Sequence, residues 1–257
     1  MKKYTLLLSA TLLAFLLPYS ALAWGNKGHA IVAEVAFSLL DNGTKEKVRK
    51  ALGTMTIEEA ANWMDNIRRD HRYDYMRSWH YLNLDKGMQY QHTSEDNIVN
   101  ALNKAIGELE HKGRLDDSEI RLDLLIVFHL VGDMAMPLHV GYGEDKGGNT
   151  VEVTYEGHRA NLHQVWDSRI IESEGITTED CVAYYRRMSK RDIDQNKVIN
   201  VVEWIKEPRS MLGSVYNLPP DNNIDQAYID RSKKIIEQQL TIAGIRLAAV
   251  LEQVFKS

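Results

Sequence analysis

Cysteine is nearly absent from this 257-residue chain, where Cys181 stands alone. An intramolecular disulfide framework is therefore excluded, and stability has to come from a core and from any metal the fold binds. Long apolar runs are also missing, with one exception at the start. Leu6 to Leu17 is apolar but too short to cross a hydrocarbon layer of about 30 Å as a helix. It follows Lys2 and Lys3 and precedes Ala21-Leu22-Ala23, the order of a secretory signal peptide with a small-residue cleavage site. The expectation is a leader of residues 1–23, removed on export (periplasmic or secreted), and one domain over 24–257. No cysteine lies near the cleavage point and no second apolar segment is long enough to span a bilayer, so no membrane anchor is expected. A basic excess is lacking as well. The formal charge is −5, and −7 once Lys2 and Lys3 are lost. Such a balance disfavours a protein that grips nucleic acid chiefly through phosphate-backbone charge. Internal repeats, low-complexity tracts and linkers do not occur, and no protein partner is implied.

Helical patterning fills most of the remainder. Ile31, Val32, Val35, Ala36, Leu39 and Leu40 keep a helical period up to Asp41-Asn42-Gly43. Thr44 is a cap candidate for a short helix stopping at Gly53, and Thr56 with Glu59 forms a capping box for a helix carrying Trp63, Asp65 and Arg68. His71 to Asp85 has no clear period and reads as a long ordered loop holding His80. Ser94 is a cap candidate for a helix with Ile98, Ala101, Leu102, Ala105, Ile106 and Leu109 on one side. A helix from about Asp117 to Met136 follows. Thr150 to Tyr155 alternates as a strand does, the one convincing strand in the chain. Asn161 caps a helix carrying His163, Trp166 and Asp167, and further helices are expected near 179–190, 197–206 and 226–254. The fold class is mainly α: a single-domain multi-helix bundle with a short β-hairpin.

The chemistry concentrates in HLVGDMAMPLH, from His129 to His139. His129 and Asp133, four apart, share one helical face, and Pro137 ends the helix and redirects the chain at His139. Polar groups on an apolar helix are costly to bury unless satisfied, and a metal satisfies both. A second HxxxD pair, His163/Asp167, lies beyond the glycine-rich loop 141–149. Asp65 on another helix and His80 in its loop add to the candidates. Donors of His and Asp without cysteine favour zinc, with manganese or iron as alternatives. His29 lies five residues after the expected new N-terminus, and the freed amine of Trp24 is itself a potential nitrogen ligand. His71, His92, His111 and His158 occupy no motif position and are read as surface or core histidines.

Together WGNKGH, WMDNIR, WHYLN, PLH, GGN and NLHQVWD resemble the zinc-dependent single-strand-specific nucleases of fungi and plants (the S1/P1 type), which share a fold with bacterial zinc phospholipase C. The resemblance covers essentially all of the chain after residue 23. It implies three Zn²⁺: one held by Asp65, His80, His129 and Asp133, and a close neighbour held by Trp24 through its amine and carbonyl, His29 and a bridging Asp133. The third, farther off, would be held by His139, His163 and Asp167. Arg68 falls where the family has an arginine near the scissile phosphate, and Tyr81 keeps an aromatic that would stack a nucleobase. Asn83 departs from the aspartate of the fungal members. It offers a donor as well as an acceptor, which leaves base preference open.

The implied activity is hydrolysis of single-stranded DNA and RNA to 5′-phosphates, together with action on 3′-nucleotides. Three zincs bring +6 against −3 from Asp65, Asp133 and Asp167, so the cleft is expected to be locally positive. Binding would then rest on metal and stacking, with little from phosphate-backbone charge. Two other readings stand beside this one, a phospholipase C on the same scaffold and a non-catalytic zinc-binding protein. The polar loop 141–149 argues against the first, and Arg68 with Tyr81 argues against the second.

Overall fold

The computed structural model describes residues 24–256, so the expected leader lies outside the described residues. The order runs α1 (Asn26–Leu39), α2 (Asn42–Leu52), α3 (Ile57–Asn66), a 3-10 stretch (His71–His80), α4 (Ile98–Glu110), a 3-10 turn (Lys112–Arg114), α5 (Asp117–Ala135) and another 3-10 turn (Pro137–Val140). A hairpin of β1 (Glu152–Tyr155) and β2 (His158–Asn161) leads into α6 (Leu162–Gln164), a π turn (Val165–Arg169) and α7 (Ile170–Ser173). Then come α8 (Thr178–Arg187), α9 (Lys190–Asn196), α10 (Val201–Trp204), α11 (Lys206–Ser210), α12 (Leu212–Val215) and α13 (Gln226–Phe255). The chain is mainly helical, as its periodicity predicts.

α5 is the axis of the bundle. Asp116 starts it with a capping box: its carboxylate accepts from the amides of Ser118 (2.8 Å) and Glu119 (2.9 Å), and Glu119 accepts from the Asp116 amide in return. From Asp123 to Ala135 every residue is buried, because α3, α4 and α13 pack around it. A helix apolar on all sides belongs in a core. Pro137 has no amide hydrogen to continue the ladder, and the chain turns into Pro137–Val140. α1 lies along α13 and α3, which sets His29 and Trp24 against the C-terminal part of α5, at His129 and Gly132.

Local chemistry overrode several sequence expectations. Asp41, rather than Thr44, caps α2: its two carboxylate oxygens accept from the amide and the hydroxyl of Thr44, each at 2.9 Å. Asn97, rather than Ser94, caps α4, accepting from Val99 (2.9 Å) and Asn100 (3.1 Å). Ser94, Asp96 and Asn97 are all chemically able to cap, and the tertiary position of the helix decides among them. His71–His80 is a kinked 3-10 stretch instead of a loop, with Tyr73 off helical dihedrals. The stretch near 197–206 starts only at Val201, and from there to Val215 the chain makes the short turns α10 to α12, with Pro208 among them. The strand at Glu152–Tyr155 pairs antiparallel with His158–Asn161 across Glu156 and Gly157, both at positive φ (50° and 75°), which suits a two-residue hairpin turn.

Candidate functional site

Four side chains converge where α5 crosses α3. His129 and Asp133 project from α5, Asp65 from α3, and His80 from the end of the 3-10 stretch. All four are buried. His129 Nδ1 lies 2.7 Å from the Ala61 carbonyl, which only accepts, so Nδ1 carries the proton and Nε2 presents a lone pair to the cluster. From that Nε2 it is 3.0 Å to His80 Nδ1, 3.2 Å to Asp133 Oδ2 and 3.7 Å to Asp65 Oδ1. His80 Nδ1 is 2.9 Å from Asp133 Oδ2 and 4.0 Å from Asp65 Oδ1. Donors 2.0–2.1 Å from a tetrahedral ion sit about 3.4 Å apart, which these spacings bracket.

The other oxygen of Asp133 faces elsewhere. Oδ1 lies 3.2 Å from His29 Nε2 on α1. His29 is fully buried and stacked on His129, with ring centroids 4.0 Å apart and planes inclined by 15°. That approach needs Gly132, since a Cβ there would stand 2.8 Å from His29 Nδ1. Trp24 is also fully buried, and the Gly25 amide donates to the Asp167 carbonyl at 2.8 Å, so the start of the described chain is fastened beside this group.

A separate group forms from His139, His163 and Asp167, whose donor atoms lie within 4.8 Å of one another. Two backbone carbonyls set both rings. His139 Nδ1 donates to the His80 carbonyl and His163 Nδ1 to that of Gly147, each at 2.7 Å. Gly147, at φ 62°, lies so close to Leu138 that a side chain would strike the Leu138 carbonyl. Extended residues tie the two groups together, because Leu82 donates to the His139 carbonyl (2.8 Å) and Leu84 to that of Gly141 (3.1 Å). Asn161 caps its helix as expected, accepting from Gln164 at 2.7 Å, but the helix widens into the π turn at Val165. Within that turn Trp166 Nε1 donates to Tyr228 Oη at 2.6 Å, holding the neighbour of Asp167 against α13.

These donors fit metal ions. His29 has no hydrogen-bond partner at either ring nitrogen, and neither do Asp65 Oδ2, Asp133 Oδ1 or Asp167 Oδ1, all of them buried. Orphaned buried acceptors in such number are costly without a cation. Burial holds His29, His80 and His163 below the usual histidine range and His139 at about 3, leaving neutral imidazoles ready to ligate. Burial also works to lower His129, but the Asp133 and Asp65 carboxylates outweigh it and raise its pKa. Burial, then the charges of Asp65 and Asp133, push Asp167 well above the carboxylate range. A cation among His139, His163 and Asp167 would relieve that penalty. The other four histidines, His71, His92, His111 and His158, are exposed.

A cleft of about 700 Å³ opens over both groups. Arg68, Tyr81 and Asn83 all line it, as the sequence suggests. Arg68 Nε lies 2.9 Å from Asp65 Oδ1, so a metal-group carboxylate holds the guanidinium. Tyr81 is 44% exposed and, with Asn83, also lines an adjoining hollow of about 430 Å³ shared with Met88 and Tyr90. Arg77 and Lys146 stand in the same wall, and among the described residues no carboxylate does. The cleft wall thus presents three cationic side chains of the chain itself, Arg68, Arg77 and Lys146. Neither Arg77 nor Lys146 belongs to a motif with a spacing rule, and Arg77-Ser78-Trp79-His80 gives only proximity in sequence. Gly132 and Gly147 lie in stretches the sequence singles out, but the close approach of one and the carbonyl of the other that orients His163 have no local signal, and Tyr228 carries none at all.

Comparison with known proteins agrees with this geometry. The family described as S1/P1 Nuclease matches residues 24–256. Endonuclease 2 of Arabidopsis thaliana is 26% identical over 273 residues, covering 90% of each chain. Nuclease S1 of Aspergillus oryzae is 26% identical over 261 residues, covering 89% of this chain and 91% of its own. Nuclease P1 of Penicillium citrinum is 24% identical over 195 residues, covering 71% and 72%. With three buried His/Asp groups able to hold metal among the described residues and a match from end to end of those residues, this chain belongs to the S1/P1 nuclease family of metal-dependent phosphodiester hydrolases.

Proposed function

We propose that the protein is an exported endonuclease using three zinc ions to cleave single-stranded DNA and RNA to 5′-phosphates, and that it also acts on 3′-nucleotides. One observation carries this reading: Asp133 divides its oxygens, Oδ2 to His80 and His129 and Oδ1 to His29. A buried carboxylate so placed suits two neighbouring ions, Asp65 completing the first group and the freed amine and carbonyl of Trp24 the second. His139, His163 and Asp167 suit the third. Zinc bound there would act as a Lewis acid, bringing water towards a neutral pKa and countering charge on the phosphate.

The chain's own groups supply position and charge. Arg68, oriented by Asp65, faces the cleft where it neutralises charge gathering on the phosphate oxygens, and its planar fork suits two of them at once. Tyr81 offers a ring to stack a base, and Asn83 beside it offers one donor and one acceptor to a base edge. Carbonyls of Ala61, His80 and Gly147 keep three imidazoles in one tautomer throughout.

The test incubates zinc-loaded protein beginning at Trp24 with single-stranded DNA, RNA, 3′-AMP and phosphatidylcholine. Nucleotides bearing 5′-phosphate and release of phosphate from 3′-AMP are expected. Headgroup release from lipid with no nucleotide product would establish the phospholipase reading instead, and inertness towards all four would leave a metal-binding protein.

A further inference from the structure

The cleft wall has a charge opposite in sign to the protein. The chain carries 36 acidic residues against 31 basic ones, yet the cleft is lined by Arg68, Arg77 and Lys146 with no carboxylate among its lining residues. Arg68 is accounted for at the reacting phosphate, and the other two are not. Arg77 lies three residues before His80 on the 3-10 stretch, its side chain 59% exposed and steadied by Asp74 at 2.8 Å. Lys146 rises from the glycine loop, and among the described residues its ammonium has no hydrogen-bond or ion-pair partner. Its backbone is fixed nevertheless. The Lys146 amide donates to the Gly143 carbonyl at 3.2 Å, its carbonyl accepts from the Asn149 side chain at 2.8 Å, and the Gly147 carbonyl beside it orients His163. The neighbouring Asp145 is turned away from the cleft, engaged by the Gly148 amide and the Tyr216 hydroxyl.

Resting on the nuclease reading, we propose that Arg77 and Lys146 bind phosphates flanking the scissile one, so that the cleft selects a single-stranded polynucleotide over a mononucleotide. Both cations are tied to the candidate metal groups, Arg77 through the 3-10 stretch that ends in His80 and Lys146 through the loop whose Gly147 carbonyl orients His163. A strand whose reacting phosphate reaches the metal groups therefore passes within reach of them. The exposed rings of Tyr75 (52%) and Tyr81 (44%) lie on either side of Arg77 in sequence, giving the interleaved aromatic and cationic surface that single strands favour. A 3′-mononucleotide has one phosphate and cannot occupy these positions as well as the reacting one.

The test compares the parent with the double variant Arg77→Gln, Lys146→Gly, glycine being suited to the φ of 56° at that position. Binding of a labelled twelve-residue oligothymidylate is measured by anisotropy from 25 to 250 mM NaCl, and kcat/KM is measured on the same oligonucleotide and on 3′-AMP. Each lost phosphate contact lowers the slope of log affinity against log salt by about 0.7, so the double variant should lose about 1.4. The ratio of kcat/KM on oligonucleotide to that on 3′-AMP should fall about tenfold, with metal content equal to the parent's. An unchanged salt slope, or equal proportional losses on both substrates, overturns the proposal. If the double variant shows the expected loss of slope but the parent cleaves neither substrate, the hydrolase reading is refuted while the phosphate contacts stand.

Discussion

Gly132→Ala tests whether the N-terminal half of the site depends on the contact between α1 and α5. The added Cβ would stand 2.8 Å from His29 Nδ1 and 3.1 Å from Cε1, where ordinary contact begins at 3.4 Å. His29 must therefore retreat by about 0.6 Å, the difference between 3.4 and 2.8. It has little room, being fully buried and stacked on His129 at 4.0 Å between centroids. Overpacking of this kind costs about 1–3 kcal/mol, and the helix gains about 1 kcal/mol from replacing glycine by alanine, so the net loss is about 0–2 kcal/mol. The larger effect falls on function. A shift of about 1 Å at a reacting centre costs on the order of 100-fold, and disturbed ligand support costs 10–100-fold in metal affinity. Turnover on single-stranded DNA is expected to fall by about 10–100-fold, with lower metal content by elemental analysis. Gly107→Ala on α4 is the control, because a Cβ there meets nothing within 4 Å. That variant should be about 1 kcal/mol more stable and keep full activity. If Gly132→Ala behaves like its control, with parental metal content and turnover, His29 is not held by this contact and the reasoning fails.

Two further outcomes follow from other parts of the fold. Asp123 on α5 is buried, and burial, then the nearby Glu108 carboxylate, pushes its pKa up to about 7. The folded state thus holds a proton the unfolded chain gives up, so this stabilisation is complete below about pH 4 and is lost as pH rises through about 7. Asp123→Asn should raise the melting temperature at pH 8 and leave it unchanged near pH 4, and a constant offset across that range would refute the assignment. Retention of Ala23 turns the Trp24 amine into an amide without altering the buried ring. Such protein, its mass verified, should bind about one metal ion fewer and lose activity, and full metal content and turnover would show that the amine is not a ligand.

The helices and the donor types were legible in the sequence because both are local. Apolar residues at helical spacing made α1, α4, α5 and α13 plain, and the Thr56/Glu59 box is present as read. His129 and Asp133 share a face of α5 for the same reason, and Pro137 redirects the chain before His139. Caps were less legible where several capable residues adjoin, as at Ser94, Asp96 and Asn97, since the docked helix selects one. The π turn at Val165–Arg169 was not legible at all. Within it Trp166 donates to Tyr228, 62 residues away, a contact no local pattern encodes.

The sequence by itself determined which residues are able to bind metal and on which helical faces most of them lie, because residue chemistry and the helical repeat are properties of short stretches. Tertiary structure alone decided that Asp133 looks two ways at once, since its two oxygens are addressed by α1 on one side and by His80 and His129 on the other. It alone placed Gly132 beneath His29, fixed three imidazole tautomers through distant carbonyls, and gathered Arg77 and Lys146 into one wall of an acidic protein. Each of these depends on the approach of segments far apart in the chain, and no local pattern encodes such an approach.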